Sequence, residues 1–511
     1  MENQQPAQFD SLTDAPIGDG NSGLSLTQSA VKGFGWNLSG SVVRHGAGFL
    51  INIILARLLG PEPFGIVALA TIVISIGNLI VDSGLNASLV QKKELARSDI
   101  KYVFTIQMVL GISIYLLIVL FAPLIARLFG ETEINPVLRV LSLMIVLQAA
   151  SQTSMGLLKR KLMFKRIQQA VLVSYLIGYL LLGLPLAFAG KGVWSLVIAQ
   201  LMQSFVYLII LYWSEKHPIA FSFRDENKVT RFGINILGAN IANWIIASLD
   251  SALLGKWFGL EVLGLYNRSM NLAFTPVNIV VTASQSVIFS ASSRAQESIS
   301  KVKSGYLGVF SLFMIILFPF SITLSLIARP IIEVIYGSDW INAVPFLQVL
   351  ALALPFSALK AIGGPTMAGL GRPEIEFRVK WFIAIIYVIA LFIAIQFSVT
   401  AVLWTVLGMY ALQFILMSIV TFKVLGISMR SIRKLIIITC AISTLVVLVI
   451  VILGFVFAQN TAIAQLFLQS IAAALAWVAL IWFFRRYLSG TDLFTILSNI
   501  FNQMKNSANR P

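Results

Sequence analysis

The chain has 511 residues, of which 58% are hydrophobic and only 11% are charged, and its mean hydropathy is +0.89. These proportions exclude a soluble globular protein, in which about a quarter of the residues carry charge. The formal net charge of +16 therefore indicates membrane orientation and contact with anionic lipid, and gives no reason to expect a nucleic-acid partner.

Apolar stretches follow one another along the whole chain, and each is long enough to cross a hydrocarbon core of about 30 Å, which takes roughly 20 helical residues. The fourteen predicted spans are residues 29–57, 62–84, 101–129, 136–158, 165–189, 193–213, 229–254, 261–291, 300–327, 341–367, 374–396, 399–424, 430–457 and 463–486. The sequence thus predicts an all-α polytopic membrane protein with about fourteen transmembrane helices.

Lysines and arginines are concentrated in alternate loops. Of the 37, 28 lie in the two tails and the even-numbered loops, six lie in or beside the odd-numbered loops, and three lie inside spans. The densest clusters include Lys92, Arg160 and Arg433. By the positive-inside rule, the chain is predicted to be an inner-membrane protein with both termini in the cytoplasm.

The two ends of the chain differ from the spans. Residues 1–28 are rich in Gln, Asn, Ser, Asp and Gly, which predicts a disordered cytoplasmic tail. Residues 488–511 place apolar side chains at helical spacing behind Thr491 and Asp492. This pattern predicts an amphipathic helix on the inner leaflet, and a frayed tail is the alternative.

An internal repeat organises the spans. The pattern Phe-Gly-x-Asn-x-x-Gly opens the first span at Phe34 and the seventh at Phe232, and the loop that follows repeats as Gly60 to Gly65 and Gly259 to Gly264. Because each unit has six spans, both units enter the membrane from the same side, as parallel repeats. The predicted domains are the N-terminal six-helix lobe 29–226, the C-terminal six-helix lobe 227–427 and two additional transmembrane helices in 428–487.

Two repeated lobes are suited to alternating access, in which one lobe moves against the other around a site at their interface. A duplicated scaffold without transport is the alternative. A polar side chain inside the membrane is costly and is expected to face a cavity, so the intramembrane polar residues indicate where such a site lies.

Polar residues recur on one face of the first span and on the seventh. The first span carries Asn37, Ser41, Arg44, Gly48 and Asn52 at helical spacing, with His45 beside them. At the offset of the repeat, the seventh span carries Asn235, Asn243 and Asp250. Spans one and seven are therefore predicted to line a central cleft.

The eighth span has the longest polar stripe: Arg268, Asn271, Thr275, Asn278, Thr282 and Gln285. Lys360 lies in the cytoplasmic half of the tenth span, so the intramembrane cations number three (Arg44, Arg268 and Lys360) against two clear carboxylates (Asp82 and Asp250). A net positive cleft favours an anionic group such as a phosphate. The amides of Asn37, Asn52, Asn271 and Asn278 suit a hydroxyl-rich cargo such as a sugar.

Asp250, with Asp82 and His45, is the candidate for binding a coupling proton or Na⁺. The alternatives are an ion pair of Asp250 with Arg268 or Lys256, a helix cap or inter-lobe latch at Asp82, and a satisfied interior histidine at His45. No catalytic residue, cofactor or metal site is predicted, because the sequence has no Walker loop, no His/Cys cluster and no nucleophile elbow.

Two segments carry a family resemblance. Residues 55–69 (LARLLGPEPFGIVAL) resemble the first extracytoplasmic turn of bacterial polysaccharide transporters, and residues 82–91 (DSGLNASLVQ) resemble the Asp-x-Gly-Leu segment that closes their second helix. Over roughly residues 30–487 the chain is similar to the colanic-acid and exopolysaccharide exporters of the multidrug, oligosaccharidyl-lipid and polysaccharide flippase superfamily.

The resemblance implies fourteen helices and a flippase. Such a protein moves undecaprenyl-pyrophosphate-linked oligosaccharide units from the inner to the outer leaflet of the cytoplasmic membrane, for exopolysaccharide, capsule or O-antigen assembly. It also implies a polymerase and a chain-length regulator as partners. No individual site residue is carried over from the family, since the matching segments lie at turns and helix ends.

Two other classes of function stay open. A small-molecule (multidrug) exporter of the same superfamily shares the repeat, although cationic drugs favour an acidic cleft. A membrane polysaccharide polymerase or ligase is expected to carry a sizeable extramembrane loop or an Asp-x-Asp metal motif, and the chain has neither.

Overall fold

The structure is a computed structural model that describes residues 46, 48–82, 85, 89, 90, 92, 95–220, 222, 223, 229–294, 298–456 and 461–488. All regular secondary structure in these residues is helical, which confirms the predicted all-α class. The predicted N-terminal tail 1–28 lies outside the described ranges, and so does the predicted C-terminal tail 488–511 apart from Leu488.

The N-terminal half consists of α1 (Gly48–Leu59), α2 (Pro61–Asp82), α3 (Arg97–Phe129), α4 (Ile134–Leu141), α5 (Leu143–Arg160), α6 (Phe164–Tyr175), a π-helix (Leu176–Gly183), α7 (Leu184–Phe188) and α8 (Val193–Ser214). The C-terminal half consists of α9 (Val229–Phe258), α10 (Leu260–Arg294), α11 (Ile299–Leu326), α12 (Ala328–Ile335), a 3₁₀ helix (Ser338–Ala343), α13 (Val344–Ala361), α14 (Gly363–Gly369), α15 (Pro373–Ala394), α16 (Val399–Leu425), α17 (Met429–Val456) and α18 (Ala462–Leu488).

The predicted spans from the second to the fourteenth all lie on these helices. Twelve helical segments of the described chain are long and apolar enough to cross a membrane, and the protein is a multi-pass membrane protein. Only the end of the first predicted span is described, as α1. The total of fourteen spans therefore stays a prediction.

Glycine and proline set several helix ends and kinks. Gly130 follows α3 with φ +73°, a left-handed conformation that glycine adopts without strain, and its N–H donates to the carbonyls of Ala126 and Arg127. Gly426 ends α16 in the same way, with φ +61°. Pro276 lies inside α10, where the missing N–H leaves the Leu272 carbonyl without its ordinary helical donor.

The chain forms two compact units. Unit 1 comprises Met1–Leu59 and Ile66–Trp244, and unit 2 comprises Gly60–Gly65 and Ile245–Pro511. The division falls inside α9, and the short segment between α1 and the body of α2 packs with unit 2.

At one end of unit 1, polar contacts fix the connection from α2 to α3. The Nη1 atom of Arg160 donates to the Leu89 carbonyl at 3.0 Å and to the Lys92 carbonyl. Lys92 in turn forms an ion pair with Asp99, which is only 4% exposed and also accepts from the Ala96 N–H at 2.9 Å. One arginine on α5 thus stabilises the backbone that leads into α3.

His217 is buried in the segment that follows α8. Its ring lies 5.0 Å from that of Phe104 and 5.5 Å from that of Tyr212, measured between centroids. Burial lowers the pKa of the His217 imidazole below its usual value, while the Pro218 carbonyl and the Glu215 carboxylate act in the opposite direction. The neutral imidazole therefore packs as an aromatic ring between α3 and α8.

Candidate substrate-binding site

Several residues of the predicted site lie outside the part of the chain that the structure describes. Asn37, Arg44 and His45 lie in residues that the structure does not describe, and so does the side chain of Asn235. Their role in a cleft stays a prediction. Asp82 is partly buried at the last position of α2, and its proposed roles in capping, latching or ion binding stay open.

Asn52 on α1 is bonded within unit 1. Its Nδ2 atom donates to the Gly48 carbonyl at 2.8 Å and to the Tyr175 hydroxyl at 3.2 Å. The predicted polar face of the first span therefore meets α6 at its described end. Tyr175 was not predicted as a partner of Asn52, because it lies 123 positions further along the chain.

The polar stripe of α10 is exposed on unit 2. Asn271, Asn278 and Thr282 are all exposed, whereas Leu272, Ala273 and Val277 between them are buried. The Asn271 amide donates to the Asn267 carbonyl at 2.8 Å. Val280 and Val287 of α10 are exposed as well, so the role of the stripe in binding stays a prediction.

Arg268 lies at the extracytoplasmic end of this stripe, by the predicted orientation. Its guanidinium carbon is 4.1 Å from the centroid of the Phe64 ring, in cation–π geometry. Phe64 also meets the fully buried Trp340 edge-on at 5.9 Å. Burial raises the pKa of the Tyr336 phenol, and the charge of Arg268 acts in the opposite direction. The Arg268 guanidinium thus packs against the Phe64 ring in unit 2.

The repeated loop motif forms a backbone crossing beside Arg268. A Cβ atom on Gly65 would lie 1.8 Å from the Leu260 carbonyl oxygen, and a Cβ atom on Gly264 would lie 2.0 Å from the Pro61 carbonyl oxygen. Gly65 and Gly264 hold equivalent positions in the two repeats. The sequence identified the motif, and the structure gives its reason: two helix starts cross where only glycine fits.

Lys360 lies at the other end of unit 2, in the last turn of α13. Its ammonium donates to the Gln413 side-chain carbonyl and lies 4.6 Å from the centroid of the Tyr410 ring. None of the ion pairs within 4.0 Å among the described residues includes Lys360. The nearby Glu376, packed against Gly364, is instead paired with Lys380 at 2.6 Å.

Contacts between α10 and α13 give the relative depth of the two cations. The Ser269 hydroxyl donates to the Ala343 carbonyl at 3.3 Å, and the Gln285 amide donates to the Ala361 carbonyl at 2.9 Å. The helices therefore run in the same direction, with Arg268 at one level and Lys360 at the level of Gln285. The 17 positions between 268 and 285 correspond to about 25 Å of helix. The two cations form separate sites.

Asp250 lies in a buried hydrogen-bonded cluster. The carboxylate is 4% exposed and accepts from the Tyr266 hydroxyl at 2.5 Å, the Tyr387 hydroxyl at 3.0 Å and the Ser251 N–H at 2.6 Å. The ion pair considered as an alternative is not formed among the described residues, and Lys256 instead lies 4.8 Å from the Trp257 ring centroid. Both tyrosines were missed by the sequence reasoning.

In the described part of the chain, no group of three or more His, Cys, Asp or Glu side chains could hold a metal ion.

Several proteins of polysaccharide assembly are similar to this chain. The succinoglycan biosynthesis transport protein ExoT of Rhizobium meliloti is 27% identical over 352 residues, which cover 68% of this chain and 71% of ExoT. The lipopolysaccharide biosynthesis protein WzxC of Escherichia coli is 25% identical, over 73% of this chain and 77% of WzxC. The teichuronic acid biosynthesis protein TuaB of Bacillus subtilis is 26% identical, over 65% of this chain and 69% of TuaB.

Solved structures share the fold. The lipid II flippase MurJ in an inward closed conformation superposes with a TM-score of 0.70 and 13% identity, covering 90% of this chain and 99% of MurJ. An inward-facing multidrug resistance MATE transporter superposes with a TM-score of 0.54 and 17% identity, covering 78% of this chain and 95% of the transporter. The family model described as polysaccharide biosynthesis protein matches residues 54–345. The chain therefore belongs to this polysaccharide biosynthesis protein family.

Proposed function

We propose that this protein is a flippase for undecaprenyl-pyrophosphate-linked oligosaccharide units in exopolysaccharide, capsule or O-antigen assembly, acting by alternating access of its repeated lobes. Family membership supports a role in polysaccharide biosynthesis, and the name of ExoT supports transport. The fold shared with MurJ supports a flippase architecture. No covalent bond is made or broken in such a step: the lipid tail stays in the bilayer while the headgroup crosses.

The proposal of an anionic cargo rests on the surroundings of Lys360. Lys360 is a cation within a membrane-spanning helix, and its contacts are a neutral amide and an aromatic ring. A cation in hydrocarbon is costly unless a carboxylate, a backbone carbonyl or a ligand compensates it. The nearby carboxylate of Glu376 is paired with a second lysine, Lys380. A pyrophosphate would supply the missing negative charge through charge-assisted hydrogen bonds.

The separation of the cations suggests an order of events. Lys360 lies at the cytoplasmic end of unit 2 by the predicted orientation, and Arg268 lies about 25 Å away along α10. A pyrophosphate is far shorter than this distance. We propose that it binds first at Lys360 and then at Arg268, whose planar guanidinium can hold a phosphate through two hydrogen bonds. Asn271 and Asn278 line the exposed surface between them, and Asn37, Asn52 and Arg44 are proposed as contacts from the first span.

Asp250 is proposed as the coupling site for a proton or Na⁺. It is a carboxylate inside a membrane helix with two phenolic donors, so its charge state can change how Tyr266 and Tyr387 are bonded and hence how α9, α10 and α15 pack. Asp82 and His45 are further candidates for the same role.

The proposed location is the bacterial cytoplasmic membrane, with both termini in the cytoplasm. The distribution of Lys and Arg supports this orientation. A polymerase and a chain-length regulator are proposed partners, since a flipped repeat unit has to be polymerised on the outer face.

The test is headgroup translocation in proteoliposomes. A fluorescent lipid-pyrophosphate-oligosaccharide is incorporated, and an impermeant quencher reports which leaflet holds the headgroup. Wild type, Lys360→Gln and Lys256→Gln are compared at equal incorporation. Lys256→Gln is the matched control, because it removes a lysine that also contacts an aromatic ring and lies in the last turn of its helix but is exposed.

Movement by wild type that falls in Lys360→Gln and persists in Lys256→Gln supports the proposal. No movement above empty liposomes, with proton and Na⁺ gradients imposed, would favour the second candidate, a small-molecule exporter. The fold shared with a MATE transporter is the observation behind that candidate.

A further inference from the structure

We infer that Glu376 is an internal anion that promotes release of the pyrophosphate from Lys360, and that Lys380 is the second lysine of that phosphate site. The inference rests on the proposed function, in which the pyrophosphate binds first at Lys360. It adds the residues that make this binding reversible, so that the phosphate can pass on towards Arg268. Glu376 and Lys380 lie one turn apart near the start of α15 in unit 2, and they form an ion pair at 2.6 Å.

The carboxylate of Glu376 has a position of its own in the fold. A Cβ atom on Gly364 would lie 2.5 Å from the Cδ and Oε1 atoms of Glu376 and 2.6 Å from its Oε2 atom. The whole carboxylate group therefore lies against the Gly364 backbone, in space that the side chain of any other residue would fill. Gly364 is buried and lies four positions after Lys360. The negative charge is thus held beside the turn that follows Lys360.

This arrangement differs from that of an ordinary surface ion pair. Arg329 and Glu333 on α12 form such a pair at 2.9 Å, also four positions apart, and 73% of the arginine side chain is exposed. Exposed pairs of this kind contribute little to stability. In the pair on α15, 37% of the Lys380 side chain and 29% of the Glu376 side chain are exposed, and the carboxylate also occupies the space beside a glycine. A fixed negative charge next to an intramembrane lysine indicates a role for that charge.

The two lysines differ in how their charges are compensated. Lys360 contacts the neutral side-chain amide of Gln413 and the ring of Tyr410, and none of the described ion pairs within 4.0 Å includes it. A phosphate can therefore bind Lys360 without displacing a carboxylate. Lys380 is instead bound by Glu376 and has to leave this partner to reach a phosphate. Its ammonium is carried by a flexible four-carbon stem, which permits such an exchange.

The charges give each residue a step in the cycle. A phosphate at Lys360 attracts the Lys380 ammonium through a charge-assisted hydrogen bond, and Lys380 leaves Glu376. The carboxylate stays beside Gly364, is now unpaired and repels the phosphate. When the pyrophosphate departs, Lys380 returns to Glu376. The site thus binds the anion well enough to capture it and weakly enough to release it, as a transport pathway requires.

The test is the dissociation constant of inorganic pyrophosphate, measured by calorimetry on the full-length protein in detergent at one ionic strength. Wild type is compared with Glu376→Gln, Glu376→Asp and Lys380→Gln. Glu333→Gln is the matched control, because it removes the carboxylate of another pair of this spacing in unit 2. We expect Glu376→Gln to bind pyrophosphate about tenfold more tightly, because one like charge is removed. Lys380→Gln should bind it about tenfold more weakly, because one charged donor is lost.

The conservative variants give the comparison. Glu376→Asp keeps the charge, so it should bind like wild type, and so should Glu333→Gln. A folding defect cannot imitate the expected result, because misfolding does not tighten binding. Adding Lys360→Gln to Glu376→Gln should abolish the gain in affinity. A gain that persists in this double variant would place the pyrophosphate elsewhere and overturn the inference.

Unchanged or weaker binding by Glu376→Gln, or unchanged binding by Lys380→Gln, would also overturn the inference. Headgroup translocation by wild type in proteoliposomes separates this failure from that of the proposed function. If wild type moves the lipid-pyrophosphate-oligosaccharide while Glu376→Gln binds pyrophosphate no more tightly, the role of Glu376 is overturned and the flippase stands. If wild type moves no lipid, the proposed function fails and the role of Glu376 in release fails with it.

Discussion

The close contact of the starts of α2 and α10 at Gly65 and Gly264 predicts that Gly65→Ala destabilises unit 2. The new Cβ atom would lie 1.8 Å from the Leu260 carbonyl oxygen, whereas real Cβ contacts essentially never fall below 3.0 Å. The two backbones must separate by about 1.2 Å or more, because a carbonyl oxygen cannot rotate away as a side chain does. Overpacking of this kind costs about 1–3 kcal/mol. The shift would also move Phe64 from Arg268, whose cation–π contact contributes about 0.5–1 kcal/mol.

We therefore expect Gly65→Ala to lower the free energy of unfolding by about 1.5–4 kcal/mol, the sum of these two terms. The assay is thermal unfolding of the purified protein in detergent, followed by tryptophan fluorescence. Gly408→Ala is the control, because no atom lies within 4 Å of a Cβ atom at this position of α16, and alanine favours a helix by up to about 1 kcal/mol. A Gly65→Ala protein as stable as Gly408→Ala would refute the crossing.

Three further predictions follow from single contacts. Asp250→Asn should abolish any dependence of transport on an imposed proton or Na⁺ gradient, measured by headgroup translocation, because an amide cannot change charge; retained dependence would place coupling elsewhere. His217→Phe should reduce the loss of stability that the wild type shows below about pH 6.5, since the imidazole binds a proton more readily in the unfolded state than when it is buried. Unfolding scans between pH 7 and 5 measure this, and the same dependence of stability on pH in both proteins would contradict it. Arg160→Ala should lower the melting temperature, because it removes a charged donor to the Leu89 and Lys92 carbonyls. A hydrogen bond from a charged group contributes about 1.5–3 kcal/mol to stability. Lys159→Ala is the control, and an equal loss of stability in both variants would argue against the contact.

The sequence predicted most of the helices because a membrane span has to be long and apolar, a property of consecutive residues. It also predicted the polar stripe of α10, since spacing alone places Asn271, Asn278 and Thr282 on one face. The repeat located Gly65 and Gly264 without explaining them. Their close contact depends on two helix starts far apart in the chain, which no local pattern reports.

The hydrogen-bond partners of the charged groups inside the membrane were not predicted from the sequence. Tyr266 and Tyr387 bond Asp250 from two other helices, and Gln413 bonds Lys360 from a third region of the chain. A tyrosine or glutamine in an apolar span gives the same sequence pattern whether it contacts a charged side chain or packs among neutral ones. A tertiary contact decides between the two, and only the structure supplies it.

The stacked rings of Tyr175 and Tyr179 are partly indicated by the sequence. Tyr175 and Tyr179 are four positions apart, and Pro185 shortly after them is a sequence signal for helix irregularity. What the sequence cannot give is the stacking of the rings and the bond from Asn52, since both depend on the π-helix and its packing against α8.

The central claim is that the protein moves a lipid-linked glycan by binding its pyrophosphate. The most direct measurement compares wild-type translocation of two fluorescent lipids with the same glycan and isoprenoid chain, one joined by pyrophosphate and the other by a neutral linker. Charge-assisted bonds to the phosphate predict that the pyrophosphate lipid crosses at least about tenfold faster, with empty liposomes as the baseline. Equal rates for the two lipids, or no rate above the baseline for either, would contradict the account.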